Sequence, residues 1–470
     1  MTNWLDPLDV KGTAFYKDPE KSHPGLPLGT FDGTSTPVNY YGRAHMMTVA
    51  PSGAGKSQCL ALPMLWGWPG SVIVLDVKGE LYYHTAGWRE KGLGQKVYRF
   101  DPDDPKSDKF NPLAYISTER FEVQTDVKDI ARVIAPVGAK EHDPFWKQRA
   151  QEVIETAIHI QLHQYPYKIN LANVIERISN ISSLRQGLDT LIEGGDTEAG
   201  ARHKSYQLQS VRNMARGILT QLFERDGGLN RTGQGVFSTI NAQIASLNTE
   251  QIIEITQKSD WNPLDLRHGD KTVYITLPPK AKGQYREIMA LVMNAHINAL
   301  MARLPEQNTT PLLLLLDEMP QLGRMKAIEQ VIDLGRAYGV LLAGFCQRRQ
   351  QLEDTYGNAG DFLGTLETRL YMNPSPEDGS GELLVKALGK KKDAWTDNTP
   401  EDAATLNEIC GPKFRNSIIA LSRGSLPANI SKTPAYDNTA YDKHRSFEAK
   451  HAARYAPMKA PPKKIDNEGV

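Results

Sequence analysis

Two stretches of this chain carry residue types that together suit work on a phosphate ester. The first is Ala50-Pro51-Ser52-Gly53-Ala54-Gly55-Lys56-Ser57. Small residues followed by Gly-Lys-Ser form a loop whose backbone N–H groups turn inward on phosphate oxygens. Lys56 is placed to reach the β- and γ-phosphates, and the Ser57 hydroxyl to ligate Mg²⁺. The second is Leu312-Leu313-Leu314-Leu315-Leu316-Asp317-Glu318. An apolar run that ends in two carboxylates supplies an acidic group for the Mg²⁺ shell, Asp317, and one to polarise an attacking water, Glu318. Taken alone, each stretch also has a plain reading, as a Gly-rich turn before a helix and as a core strand running into an acidic turn.

The elements that must position these groups follow from hydrophobic pattern. His45–Val49 reads as a strand and Gln58–Leu62 as a helix, so the loop lies between them, with the helix N-terminus adding its positive end. Ser71–Leu75 is a β-branched run of the kind found in strands buried on both faces. It ends in Asp76-Val77-Lys78-Gly79-Glu80, and Asp76 and Lys78 are possible supports of the same site. Further strands are expected at Lys96–Phe100, Lys271–Leu277, Val340–Phe345, Thr368–Met372 and Ser417–Leu421. Helices are expected at Leu81–Lys91, Tyr285–Leu304, Met325–Tyr338 and Glu382–Leu388. The usual phosphate loop starts with glycine where this chain has Ala50. The position ends a strand, where a left-handed backbone is not required.

Residues 1–41 are rich in Pro, Gly, Asp and Thr and read as an irregular leading arm with one short strand. From 119 to 258 β-branched runs disappear. Asp143-Pro144 opens a helix whose apolar positions, Ala150, Val153, Ile154, Ala157 and Ile158, recur at helical spacing. Leu171–Ile181 and Ser205–Leu222 also read as helices. The expected organisation is an α/β nucleotide-binding domain in two parts, 1–118 and 259–445, around an inserted all-α domain, 119–258, with a basic tail, 446–470.

The 470 residues are 40% hydrophobic and 23% charged with zero formal net charge, so any nucleic-acid contact must come from local patches. Lys386, Lys390, Lys391 and Lys392 form one such cluster, read either as a solvated helix end or as a DNA-facing loop. The tail cations Lys443, Arg445, Lys450, Arg454, Lys459, Lys463 and Lys464 are another. Cys59, Cys346 and Cys410 are far apart and form no C-x-x-C, which argues against a disulfide framework or a zinc site and fits a reducing cytoplasm. The start of the chain has no basic, apolar signal pattern, and no apolar run approaches the ~20 residues of a membrane helix.

The chain resembles the TraG/TraD-type coupling proteins of type IV secretion and conjugation. The residues that carry the resemblance are Gly53-Ala54-Gly55-Lys56-Ser57, Leu62-Pro63, Trp68-Pro69-Gly70 through Asp76-Val77-Lys78-Gly79-Glu80, Thr85-Ala86-Gly87-Trp88-Arg89, Val97–Phe100, Asn111-Pro112-Leu113 and Asp143-Pro144-Phe145-Trp146. Val273-Tyr274-Ile275 with Pro278-Pro279, Leu316-Asp317-Glu318 with Leu322-Gly323-Arg324-Met325, and Tyr338-Gly339 before Gln347 complete it. The resemblance implies a RecA-like P-loop NTPase with a mainly parallel sheet and an inserted all-α domain. It implies a chain that is a homo-hexamer when assembled and a monomer when isolated, and that uses ATP and Mg²⁺. The substrate would be a relaxase–DNA complex or secreted effector protein, with single- or double-stranded DNA, passed to type IV secretion channel components.

Ser52, Gly53, Ala54, Gly55, Lys56, Ser57, Gln58 and Asp317 would hold the nucleotide, with Ser57 and Asp317 on the metal. Lys56, Glu318, Arg336 and Gln347 would be catalytic. Gln347 takes the sensor place, unless it is only a solvated strand end. Arg336 takes the place of an arginine finger acting across subunits, unless it is a surface arginine. Most relatives carry N-terminal membrane helices. This sequence begins after them, so it is expected to be cytoplasmic and peripheral to the bacterial inner membrane through a partner. Two other readings stay open: a substrate-recruiting adaptor with a regulatory nucleotide site, and an FtsK/HerA-like DNA translocase outside secretion.

Overall fold

The computed structural model describes residues 3–18, 23–119, 121–138, 143–165, 168–193, 208–276, 285–306, 310–390 and 402–451. Its strands are β1 (Leu26–Phe31), β2 (Pro37–Tyr40), β3 (Met46–Val49), β4 (Val72–Asp76), β5 (Lys96–Phe100), β6 (Lys271–Thr276), β7 (Leu312–Leu316), β8 (Val340–Cys346), β9 (Thr368–Met372), β10 (Ser417–Ser422) and β11 (Ala428–Ser431). They form one 11-stranded sheet in the order β2-β1-β11-β10-β9-β3-β8-β7-β4-β6-β5. From β9 to β5 neighbouring strands run parallel, and from β2 to β9 they run antiparallel. The carboxyl ends of β3, β8, β7 and β4 therefore lie side by side, which brings both sequence motifs to one rim of the sheet.

The central strands are buried on both faces, as their unbroken apolar runs require. All five leucines of β7 are buried, each adding about 1.5–3 kcal/mol relative to exposure. Leu313 and Leu315 point into one core with Leu60, Leu62 and Leu65, which follow the phosphate loop. Leu312, Leu314 and Leu316 point into the other. The chain after the loop begins as a π turn, Ser57–Ala61, and continues as α1 (Leu62–Gly67). α2 (Glu80–Gly87) follows β4.

Between β5 and β6 the described helices are α3 (Glu122–Ile134), α4 (Phe145–Gln164), α5 (Leu171–Ser179), α6 (Ile181–Glu193), α7 (Gln209–Leu222), α8 (Arg231–Ile244) and α9 (Glu250–Ile255). Their apolar faces share one continuous core with α10 (Arg286–Met301) and α11 (Lys326–Leu334). α12 (Arg349–Tyr356) follows β8. Among the described residues no helix is long and apolar enough to cross a membrane.

The Trp68–Gly70 and Thr85–Arg89 stretches meet through a fully buried arginine. Arg89 donates to the carbonyls of Leu65, Trp68 and Gly70 at 2.5, 2.9 and 2.7 Å, and to Thr272 Oγ1 at 2.6 Å. Four oxygens around one guanidinium offset its desolvation and lock the helix–strand connection.

Two sequence expectations are corrected. The leading arm is not irregular: β1 and β2 form a hairpin on the sheet edge, and β1 pairs with β11 some 400 residues later. Pro27, Gly29 and Pro37 break the alternation that would have shown it. Gly29 sits at φ +141°, where a Cβ would lie 2.3 Å from the Ser431 carbonyl oxygen. Nor is 446–451 a free tail. Ala449 is buried, Tyr82 Oη donates to the Lys450 carbonyl at 2.8 Å, and Lys450 pairs with Glu90 at 2.5 Å. Pro278-Pro279, Lys391, Lys392, Arg454, Lys459, Lys463, Lys464 and the first residues of the Ser205–Leu222 helix lie outside the described residues.

Candidate nucleotide site

β3 ends at Val49 in register with Cys346 of β8, and the Ala50 amide donates to the Cys346 carbonyl at 3.0 Å. Ala50 is thus still in the sheet, without a positive φ, which explains why glycine is not needed there. The left-handed positions fall at Gly53 (φ +80°) and Gly55 (φ +94°). A Cβ on Gly55 would come 3.1 Å from Cys59 Sγ. Ser52 is exposed, Ala54 is buried, and Lys56, Ser57 and Gln58 are half-buried around the first turn.

Lys56 Nζ donates to Glu318 Oε1 at 2.8 Å, and Gln347 Nε2 donates to the same oxygen at 2.7 Å. The ion pair is nearly out of water, with side-chain exposures of 10% and 6%. Glu318 Oε2 is buried with no partner among the described residues. Backbone geometry aims this carboxylate. Glu318 sits at φ 54°, ψ 47°, a left-handed conformation that costs a glutamate on the order of 1 kcal/mol. The Gln347 and Arg348 amides both donate to Gln351 Oε1, which pins the turn that carries Gln347 into α12.

Asp317 lies one residue beyond the β4–β7 register pair Leu75–Leu316, and its amide donates to the Leu75 carbonyl at 3.1 Å. Burial first, then the neighbouring Glu318, raises its carboxyl to about 6. Lys56 and Lys78 act in the opposite direction. Asp76, fully buried on the adjacent strand, accepts from the Tyr82 amide at 2.7 Å, and burial followed by the nearby Asp317 charge raises it to about 7 against that amide. The rim therefore presents a cationic and N–H-rich loop facing two carboxylates, the pattern that holds a phosphate chain and its cation.

Not every sequence candidate converges. Arg336 is exposed in the turn before β8. It lies at the amino end of that seven-residue strand, roughly 20 Å along it from Gln347 at the other end. It is near Tyr40, whose hydroxyl donates to Glu367 Oε2 at 2.5 Å. Arg336 cannot serve the loop of its own chain. Lys386 and Lys390 also lie apart, where Lys390 pairs with Asp402 at 2.8 Å. Conversely, Asn373 and Lys432 stand near the loop and no motif marks them. Lys432 Nζ donates to Asn373 Oδ1 at 2.5 Å, and its charge acts on Cys59. Asn373 at φ +48° is the single local signal, since Asn tolerates that conformation better than most residues.

Residues 9–396 match the family described as type IV secretory system conjugative DNA transfer. The chain is 25% identical over 382 residues to the conjugal transfer protein TraG of Escherichia coli, covering 76% of this chain and 59% of that protein. It is 26% identical over 368 residues to the protein VirD4 of Rhizobium radiobacter, covering 74% of this chain and 48% of VirD4. It thus spans about half to three-fifths of the length of these relatives. A solved structure of the plasmid coupling protein TrwB with ADP and Mg²⁺ superposes with a TM-score of 0.63 at 15% identity, covering 92% of this chain and 94% of that one. The fold is therefore the RecA-like P-loop arrangement with an all-α portion, and the chain belongs to the type IV secretory system conjugative DNA transfer family.

Proposed function

We propose that this chain is the ATP-hydrolysing motor of a coupling protein. It recruits a relaxase–DNA complex or a secreted effector and delivers it to a type IV secretion channel at the cytoplasmic side of the bacterial inner membrane. The observation that carries this reading is the convergence of Lys56, Glu318 and Gln347 on one oxygen at the mouth of a glycine loop. A pure switch has no use for a carboxylate there; a hydrolase does.

The residues suit a nucleoside triphosphate with Mg²⁺. Gly53 and Gly55 open the cradle, Ser57 and Asp317 are oxygen donors for the cation, and Glu318 Oε2 is an orphaned buried acceptor. The cation, once bound, would spread charge over the β- and γ-phosphate oxygens. Lys56 turns from Glu318 to the phosphates when they arrive, which leaves Oε1 to Gln347 and Oε2 open. Glu318 then uses Oε2 to orient a water and take its proton. Gln347 stays bonded to the carboxylate and reports its state to α12.

Arg336, exposed and a strand's length away, acts on the loop of a neighbouring copy, as a homo-hexameric ring would permit. Contact with the membrane and the channel is made through partners.

ATP turnover by the wild type and Lys56→Ala, each with no DNA, single-stranded and double-stranded DNA, tests the reading. Turnover that needs Lys56 and rises with DNA is expected. No turnover in any condition at high protein concentration would overturn it.

A further inference from the structure

The hydrolysis groups occupy one side of the phosphate loop, and a different segment closes the other. β3 lies between β8, which carries Gln347, and β9, which ends beside Asn373. A triphosphate whose γ end meets Lys56 and Glu318 must send its nucleoside away from β7 and β8, past the first turn after the loop. Residues 432–436, which follow β11, pack against that turn.

The docking of that segment has a sequence cause. Pro63, five residues on from Gln58, has no N–H to give the Gln58 carbonyl as a continued π turn would require. The Ala435 amide donates to that carbonyl at 2.9 Å instead. Lys432 anchors the same segment through Asn373 Oδ1 and the Arg415 carbonyl, the latter at 2.7 Å. Ala435 is buried, yet the next side chain, Tyr436, is 41% exposed. It lies near Cys59, in the first turn after the loop. An exposed aromatic ring beside the first turn after the phosphate loop leaves a π-face open to a flat partner.

We propose that Tyr436 is the shelf on which the base of the bound nucleotide stacks. The inference rests on the phosphate-loop reading above and adds the nucleoside half of that site. Stacking uses the π-face that every base has, so the shelf accepts adenine and guanine alike. Asn373 and Lys432 are positioning residues for it.

Calorimetric binding of Mg²⁺ complexes of ATP, GTP and inorganic tripolyphosphate to the full chain tests this. Tyr436→Ala should weaken ATP and GTP roughly 5- to 100-fold and leave tripolyphosphate unchanged, and Tyr436→Phe should bind all three within about twofold of wild type. Equal loss of ATP and tripolyphosphate in Tyr436→Ala would overturn the proposal, because the ring would then only support the loop. No loss of ATP would overturn it as well. A wild type that binds neither ATP nor tripolyphosphate would refute the phosphate loop itself, and the shelf with it.

Discussion

Lys56→Ala should unfold more easily in the absence of nucleotide. Lys56 and Glu318 are paired at 2.8 Å with side-chain exposures of 10% and 6%, so removing the lysine strands a carboxylate away from water. Gln347 remains as its one donor, while Oε2 has none among the described residues. Breaking a buried pair from one side costs about 3–5 kcal/mol. The destabilisation should be of that size.

Glu318→Gln keeps an acceptor for Lys56 and carries no stranded charge. In that background Lys56→Ala should cost only about 1 kcal/mol, the worth of one hydrogen bond. Urea unfolding of the four proteins, followed by tryptophan fluorescence, measures the coupling. A Lys56→Ala loss that adds in full to that of Glu318→Gln would refute the argument.

In turnover assays Glu318→Gln should lower kcat by roughly 10²–10⁴ while ADP affinity stays within a few-fold, since the proposed role puts the carboxylate to work in the transition state and not in the phosphate cradle. Arg336→Ala should leave nucleotide affinity of the isolated chain unchanged and lower turnover of the assembled form by roughly 10³-fold or more. Mixing it with Lys56→Ala should restore part of the rate, because each copy supplies what its neighbour lacks; a mixture as inactive as its parts would place Arg336 outside the reaction.

Asp76, raised by burial to about 7, holds a proton in the folded chain that the unfolded chain has already lost, so its contribution to stability falls as pH rises through that value. Relative to Asp76→Asn, the wild type should lose up to about 1.4 kcal/mol per pH unit between about pH 5 and 7. Comparing the two proteins cancels the opposite contribution of His45 and His296, which burial holds at about 4.

The chemistry at the sheet rim was legible from sequence because it is local. Gly53, Gly55, Lys56 and Ser57 are contiguous, and five leucines announce a strand before Asp317 and Glu318. The parallel core followed from β-branched and leucine runs that have no solvated face. The hairpin β1–β2 was hidden because Pro27, Gly29 and Pro37 erase its alternation, and its stability comes from pairing with β11. Nothing near Gln347 in the sequence says that it and Lys56 share one oxygen of Glu318, since the three residues meet only when β3, β7 and β8 are laid side by side. Residue types and spacing determined which groups could bind and cleave a phosphate. The register of the sheet decided which of them meet, kept Arg336 a strand's length away, and brought residues 432–436 against the first turn after the loop, because contacts between distant segments depend on the closed core and leave no periodic trace in the chain.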